Sequence, residues 1–315
     1  MPILNEADHL ATAIDSVRAQ AYPGRMRIFL GVGPSDDGTE AVAAALADES
    51  SELVVVDNPS GRTPSALNVA IRAGSAPVVV RVDGHSELSA GYVRRAVETL
   101  RTSAAVNVGG VQRPVPTTPF EQAVADATTS ILGTGGAAYR VGSEARAVDT
   151  VYLGVFDRSA IEAVGLFDEE LIRNQDYELN IRLRDAGGTV WFDPTLSVGY
   201  RPRGSWGRLA RQYYEYGWWK SVVLRKHPHS LKLRQMIPPV GIVGVLVGLC
   251  AGARWRPALL VPAAYAAALG WASRGSSERV RTAGALTVIH AAWTAGLARS
   301  AISLIVDAAS SRTPQ

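Results

Sequence analysis

The sequence predicts an α/β fold, a sheet with crossover helices over residues 1–235, followed by an α-helical membrane segment over residues 236–315. Three observations predict it. Up to about residue 236, short apolar runs rich in β-branched residues alternate with helix-period patterns, as they do where strands are joined by packed helices. Beyond Met236 the chain turns to long apolar stretches with little polar periodicity. The 315 residues are 47% hydrophobic and 19% charged, enough to bury a sizeable core and to argue against disorder.

In order along the chain, strands are predicted at residues 27–32, 53–57 and 78–82, each an apolar run bounded by turn residues. Between them, residues 39–47 and 65–73 read as helices, and residues 7–20 are amphipathic with Leu10, Ile14 and Val17 on one stripe. The later half is more mixed: a strand at 106–111, a helix at 120–132, an apolar stretch at 147–156, a helix at 176–185 and a strand through 190–192. A sheet of this kind normally opens with a buried apolar strand, yet the sequence starts where that strand would have ended. The first strand is therefore read as missing, and Met1 as an internal methionine of a longer chain or a misassigned start.

The tail carries apolar segments at 237–253, 257–272 and 283–298, with a further apolar run to Val306. A membrane span needs about 20 residues, so the first two are slightly short and two to three helices are expected. The other reading of these segments is a helical hairpin buried in protein. Trp255, Trp271 and Trp293 suit a membrane interface. The basic cluster Lys220, Arg225, Lys226, Lys232 and Arg234 places the preceding domain on the cytoplasmic side of the cell inner (plasma) membrane.

Charge and motif content exclude several classes. The formal net charge is +3 with no basic run interleaved with aromatics, which argues against nucleic acid as a partner. A lone cysteine, Cys250, rules out an intramolecular disulfide and a cysteine zinc site, and suits a reducing compartment. The acidic start Met-Pro-Ile-Leu-Asn-Glu-Ala-Asp has no apolar core and is not a cleavable signal peptide. Neither a Gly-x-x-x-x-Gly-Lys-Ser/Thr loop nor Gly-x-Ser-x-Gly occurs, so nucleoside triphosphatase and serine hydrolase readings have no support. His9, His227, His229 and His290 show no metal-binding spacing and are read as structural or surface residues.

Asp83 ends an apolar run, and ligands of open α/β sheets gather at the carboxyl ends of strands. A carboxylate there can hold Mg²⁺ or Mn²⁺; the alternative is an ordinary strand-ending turn. Asp176 falls in the first turn of a helix that Asn174 can cap, fixed and ionised. It is either a general base or simply an acid satisfying the helix dipole. Arg62 lies in a Gly/Pro-rich loop suited to close approach of phosphate, or is a plain surface arginine.

Five motifs stand in order: Pro2-Ile3-Leu4-Asn5-Glu6; Gly33-Pro34-Ser35-Asp36-Asp37-Gly38-Thr39; Asn58-Pro59-Ser60-Gly61-Arg62-Thr63-Pro64 leading to Ala66-Leu67-Asn68; Val82-Asp83-Gly84-His85; and Asn174-Gln175-Asp176-Tyr177-Glu178-Leu179 with Arg182 and Arg184. In this order the set resembles family-two glycosyltransferases, especially the succinoglycan-biosynthesis glucosyltransferase type, over about the first 235 residues. The resemblance implies a GT-A fold (a nucleotide-diphospho-sugar transferase with a Rossmann-like mixed sheet), a nucleotide-sugar donor and a divalent metal, Mn²⁺ or Mg²⁺. It makes Asp176 the catalytic base, Asp83 a donor and metal ligand, and His85 a second metal ligand where the family usually has another Asp; an imidazole favours Mn²⁺. Asn5, Glu6, Arg62, Asn68 and Arg203 follow as donor-binding residues, Asn5 and Glu6 being equally readable as a helix cap.

Departures from the pattern matter too. Gln175 replaces the first acid of the family's pair, and Glu178 is left an orienting or structural role. The family's base-contacting Asp pair aligns with Val32 and Gly33 rather than Asp36 and Asp37, which leaves the donor nucleotide open. Residues 200–206 carry Arg201 and Arg203 on a loop able to close over a diphosphate, and the aromatics of 211–219 suit a sugar, a lipid headgroup or an interfacial belt. Gln212 is followed by Glu215 where processive relatives have Gln-x-x-Arg-Trp, so a single addition is expected. With an anchor beside the catalytic domain, the expected acceptor is a membrane-surface, lipid-linked saccharide in polysaccharide or glycolipid biosynthesis. The rival readings are a polyprenyl-phosphate sugar synthase and a catalytically inactive nucleotide-sugar-binding scaffold protein.

Overall fold

The computed structural model describes the backbone of residues 1–310 and the side chains of residues 1–303, so the end of the apolar run to Val306 lies outside the described side chains. The chain divides into two compact units, Met1–Arg113 with Gly142–Tyr200, and Pro114–Val141 with the residues from Arg201 onward. This partition does not follow the change of composition at residue 236.

The first unit begins with β1 (Pro2–Ile3), α1 (Leu10–Arg18), β2 (Ile28–Val32), α2 (Thr39–Asp48), β3 (Leu53–Asp57) and α3 (Thr63–Ala73). Strands β1, β2 and β3 form a parallel sheet in that order, with Pro2 opposite Gly31 and Ile28 opposite Leu53. Of an opening strand the chain carries two residues, β1. Helix α1 buries Leu10, Ala13, Ile14 and Val17, the i, i+3, i+4, i+7 face its sequence displays. Each fully buried Leu or Ile there contributes about 1.5–3 kcal/mol. Helix α3 carries Pro64 in its first turn, where a missing N–H costs nothing, and lies so close to β2 that a Cβ on Gly31 would come within 2.4 Å of the Ala66 carbonyl oxygen.

The chain continues with β4 (Val78–Val80), β5 (Glu87–Leu88), α4 (Tyr92–Thr102) and β6 (Asn107–Pro114), passes through α5 (Pro119–Thr128), α6 (Ile131–Thr134) and α7 (Ala138–Val141), and returns with β7 (Arg146–Ala147), β8 (Tyr152–Asp157), α8 (Arg158–Ala163), α9 (Gln175–Asp185) and β9 (Val190–Tyr200). Here the sheet has the order β4-β8-β6-β9-β5, with β7 also on β9. The β4–β8, β6–β8, β5–β9 and β7–β9 pairs are antiparallel. A first core joins Leu10, Ile14, Leu30 and Val32 to Tyr92, Ala96, Val108 and Leu153. A second brings Leu67 and Ile71 of α3 against Phe156, Phe167, Leu179 and Leu183, which seats α9.

The second unit is helical, with α5, α6 and α7 joined by α10 (Trp206–Lys226), α11 (Ile237–Gly252), α12 (Leu260–Ala272) and α13 (Arg279–Ser310). Helices α10 and α13 cross backbone to backbone: a Cβ on Gly217 would lie 2.0 Å from the Trp293 carbonyl oxygen, and one on Gly296 2.0 Å from that of Tyr214. Their shared core includes Val124, Leu209, Tyr213, Ala285, Leu286 and Ile289. The apolar segment 283–298 therefore faces protein along one side. Among the described residues, the stretch Leu233–Gly252, 20 residues, is the one long and apolar enough to cross a membrane by length and composition.

Candidate active site

The parallel strands β1, β2 and β3 send their carboxyl ends the same way, and their loops are laced together by polar contacts. Asn5, in a left-handed conformation (φ 55) that Asn tolerates better than most residues, accepts from the Asp36 N–H at 2.9 Å and donates its own N–H to Ser35 Oγ at 3.2 Å. The Glu6 N–H donates to Thr39 Oγ1 at 2.8 Å, and the Ala7 N–H to Asp37 Oδ2 at 3.0 Å. The Thr39 hydroxyl first, then the Ala7 N–H, hold the Asp37 carboxyl below its ordinary range. In the next loop Asn58 donates to the Arg62 carbonyl at 3.2 Å, and Arg62 itself is exposed, its guanidinium bonded to none of the described residues.

Past β4 the chain presents Arg81, Asp83 and His85. Arg81 is buried, its side chain 5% exposed, and its N–H continues the ladder to the Gly154 carbonyl at 3.1 Å. Its guanidinium grips Asp83 Oδ1 through Nε at 3.0 Å and Nη2 at 2.9 Å, and bonds Asp176 Oδ1 through Nη1. One cation thus joins the acid at the end of the β4 run to the acid in the first turn of α9. Burial works against the Arg81 charge, but Asp176 and then Asp83 more than offset it and raise its pKa. Burial pushes the Asp176 carboxyl up from its ordinary value; Arg81 pulls it down and Asp83 adds to the rise. Asp83 Oδ2 receives no hydrogen bond from the described residues. His85 is half exposed, and its Nδ1 meets Glu6 Oε1 at 2.5 Å, which ties the β4 loop to the β1 loop.

Helix α9 is fixed from beneath. Glu178 is buried and holds Arg182 with two bonds of 2.7 Å, while Arg182 donates to the Val164 and Leu166 carbonyls. Asn180 connects Asn107 at 2.7 Å to Thr150 at 3.0 Å. The helix is not capped by the side chain of Asn174 as its sequence suggests; Asn174 enters it in the left-handed conformation (φ 63), with no side-chain cap bond.

Of the residues singled out in the sequence, Asp83 and Asp176 converge on Arg81, Glu6 pairs with His85, and Asn5 closes the neighbouring loop. Asn68 is buried and its amide is spent inside the protein, accepting from the Phe167 N–H at 3.0 Å and donating to the Phe167 carbonyl at 2.9 Å and Glu169 Oε1 at 2.8 Å. Arg203 lies in the second unit, on the loop before α10. Among the described residues no three His, Cys, Asp or Glu side chains gather as a ready metal set. Arg81 was missed by sequence reasoning, and the signal was present: an arginine within an otherwise apolar strand-end run is buried at a cost that only a carboxylate partner offsets.

The arrangement pairs a partly buried acid of raised basicity with a second acid that keeps one oxygen open, past the end of β4, whose loop His85 ties to that of β1. Comparisons with known proteins bear on the family and the fold. The family model described as Glycosyl transferase family 2 matches residues 1–165. The chain is 32% identical over 308 residues to the succinoglycan biosynthesis protein ExoA of Rhizobium meliloti (strain 1021), covering 95% of this chain and 93% of that protein. It is 23% identical over 235 residues to a dolichyl N-acetyl-α-D-glucosaminyl phosphate 3-β-D-2,3-diacetamido-2,3-dideoxy-β-D-glucuronosyltransferase of Methanococcus voltae, covering 72% of this chain and 73% of that one. The mannosyltransferase PcManGT of Pyrobaculum calidifontis, solved with GDP-Man and Mn²⁺, superposes with a TM-score of 0.69 at 19% identity, over 95% of this chain and 85% of that one, and shares its GT-A fold. The match over more than half of the chain and the 32% identity along nearly all of it establish that this glycosyltransferase belongs to glycosyl transferase family 2.

Proposed function

We propose that the protein moves a sugar, with inversion, from a nucleotide-sugar donor to a membrane-associated, lipid-linked saccharide in polysaccharide or glycolipid biosynthesis. The observation that carries this reading is the pair of acids, Asp83 and Asp176, brought together on the Arg81 guanidinium. Asp176 takes the proton from the acceptor hydroxyl as that oxygen attacks the anomeric carbon. Its raised pKa suits a base, because a stronger base accepts the proton more readily once the site is above that pKa. Arg81 holds Asp176 in place and balances the charge of the two acids. Arg62, exposed and unpaired on the β3–α3 loop, binds donor phosphate. Asn5 and Glu6 shape the donor pocket, and Asn68 serves it indirectly by clasping α3 to residues 167–169. Arg203 is assigned to the donor as well, from the loop before α10.

Asp83 and His85 fit a divalent cation of the Mn²⁺ or Mg²⁺ type: a carboxylate with an open oxygen and an imidazole are two protein donors, and such ions complete their shell with phosphate oxygens and water. Bound there, the cation supplies Lewis-acid stabilisation of the diphosphate leaving group. Glu6 on Nδ1 fixes the orientation of the imidazole. The relative named for a dolichyl-phosphate-linked sugar supports an acceptor carried on lipid, and the one named for succinoglycan biosynthesis supports a role in polysaccharide synthesis. The apolar stretch Leu233–Gly252 supports attachment to the inner membrane, with the basic residues before it on the cytoplasmic face.

The test is a donor screen on membranes containing the full chain, with Mn²⁺ or Mg²⁺, lipid-linked saccharide and, separately, polyprenyl phosphate. Release of one nucleoside diphosphate with saccharide acceptor, inverted anomeric configuration in the product and loss of turnover in Asp176→Asn are expected. Turnover with polyprenyl phosphate alone would make the protein a lipid-phosphate sugar synthase, and an Asp176→Asn variant as active as wild type would remove Asp176 from the chemistry.

A further inference from the structure

We infer that α11 and α12 enter the bilayer together as a two-pass hairpin, with both of its ends on the side of α10 and α13 and its turn at residues 254–256 emerging on the far side. The inference rests on the membrane attachment proposed above and goes further, because α12 by itself is too short to pass for a span and α13 is apolar enough in sequence to be mistaken for one.

The first observation is connectivity. Helix α10 carries Arg208, Arg211, Glu215, Arg225 and Lys226 along its length, which keeps it out of the hydrocarbon core. Helix α13, which follows the hairpin, packs on α10 so closely that Gly217 and Gly296 leave no space for a side chain between the backbones. A single crossing by α11 would strand α13 on the opposite side of the membrane from α10. The chain must come back, and α12 is the segment that brings it.

The second is the way the two helices meet. Gly241, Gly248 and Gly252 of α11 face Tyr265, Pro262 and Leu259 in antiparallel register; a Cβ on Gly241 would lie 2.9 Å from the Tyr265 ring and one on Gly252 2.4 Å from Leu259 Cδ2. Small residues at the seam are how helices pack tightly in lipid, where no hydrophobic effect drives them together. Away from this seam the near half of α12 packs on the helical core, Tyr265 on His290 at 2.9 Å and Leu269 beside Leu286, while the outer surface of the pair is apolar and bare, with Val240, Val243, Leu246, Val247, Leu249 and Leu260 all exposed. Acyl chains are the solvent such faces require.

The third is charge and length. No charged residue occurs at 235–253 or 257–273, whereas Arg254 and Arg256 stand in the turn. Buried at mid-membrane, those arginines would be costly; emerging on the far side, they reach headgroups. The near side carries Arg225, Lys226, Lys232, Arg234, Arg274, Arg279 and Arg281, the heavier positive charge expected of the cytoplasmic face. Trp255 at the turn and Trp271 at the base, the latter under the Arg274 guanidinium at 4.6 Å, sit where interfacial tryptophans do. The charge-free outgoing limb, 235–253, spans about 29 Å and the charge-free return limb, 257–273, with its start in a tighter 3₁₀ turn, about 27 Å. Both match a hydrocarbon core of about 30 Å with slight local thinning.

Cysteine labelling of the full chain in intact cells tests this. In a Cys250→Ser background, Trp255→Cys, or Arg254→Cys should the first perturb assembly, is expected to react with a membrane-impermeant maleimide added outside. Ser277→Cys is expected to react only after lysis. Labelling of both positions from the same side overturns the hairpin while leaving the protein membrane-attached. Release of the wild-type chain from membranes by alkaline carbonate overturns the attachment and the hairpin together, with the transferase chemistry untouched.

Discussion

The strand-end loops of the first unit and the α11–α12 pair of the second solve opposite problems with the same twenty side chains. Around Arg81, charge is taken inside and balanced locally, one cation against two carboxylates, while the apolar residues of β2, α1 and α4 are hidden. Along α11 and α12 the apolar residues point outward and charge is expelled to the ends and the turn. Burial of charge is tolerable only with partners, and exposure of apolar surface only with an apolar solvent. The proposed function follows that contrast: a charged ligand and its proton transfers for the first region, lipid for the second.

The largest effect that would break the comparison is at Asp176. Asp176→Asn keeps shape and leaves Arg81 on Asp83, so donor binding is expected to persist while turnover falls about 10²–10⁴-fold, the range of a lost general base. Calorimetry of donor binding beside a rate assay separates the two. The wild-type rate is also expected to fall on acidification at a pH above that of an ordinary aspartate, since Asp176 has a raised pKa and works only as carboxylate. A pH profile flat down to the usual carboxylate range would contradict that environment.

Arg81→Met tests the charge balance directly. Removing the cation leaves two acids facing each other in a partly buried site, and breaking such a buried pair costs about 3–5 kcal/mol. A thermal melt in detergent is expected to show a large loss, accompanied by lost turnover. Arg81→Lys should recover part of the stability and little of the activity, because an ammonium reproduces the charge without the fork that touches both acids.

Much of this was legible in the sequence, and the parts that were not share a cause. β2 and β3 emerge within a residue of their apolar runs, and α1 buries the stripe Leu10, Ile14 and Val17 announce. Periodicity reads elements whose partners are generic. It does not read β5 and β7, two residues each, which exist because β9 offers an edge, nor the full length of β9 past Asp193. Asp83 and Asp176 stood out as motif residues, whereas Arg81 did not, since a strand pattern records only that a position is polar. Nor does composition reveal that α10 and α13 are one packed pair across the break at residue 236, because the glycines that permit it, Gly217 and Gly296, look like any others until the backbones meet.

Those glycines give the next test, in the helical unit. Gly217→Leu forces a side chain into the Trp293 carbonyl, and overpacking of this kind costs about 1–3 kcal/mol. A reduced melting temperature of the full chain is expected, together with altered labelling at Ser277→Cys if α13 moves. Gly207→Leu, whose Cβ would meet nothing within 4 Å on the same α10, is the matched control and is expected to be nearly silent.

The smallest effect lies at the start of α5, where Glu121 is buried yet remains ionised. Burial would raise its pKa, but the Thr117 N–H at 2.7 Å, the Thr117 hydroxyl at 2.8 Å and Arg201 Nε at 2.9 Å together hold it below the ordinary value. Because the folded pKa is depressed, the stabilisation is fully present above the ordinary glutamate pKa and is lost as pH falls through the folded one. Arg201 is 64% exposed and only one of three partners. Arg201→Ala is therefore expected to cost about 0.2–1 kcal/mol at neutral pH, and less in high salt, as an exposed ion pair does. Thr117→Val, which removes the hydroxyl bond within the buried network and is not screened, should cost more and respond less to salt. If the arginine variant proved the more damaging of the two, the exposed ion pair rather than the buried hydroxyl bond would be what holds this helix end.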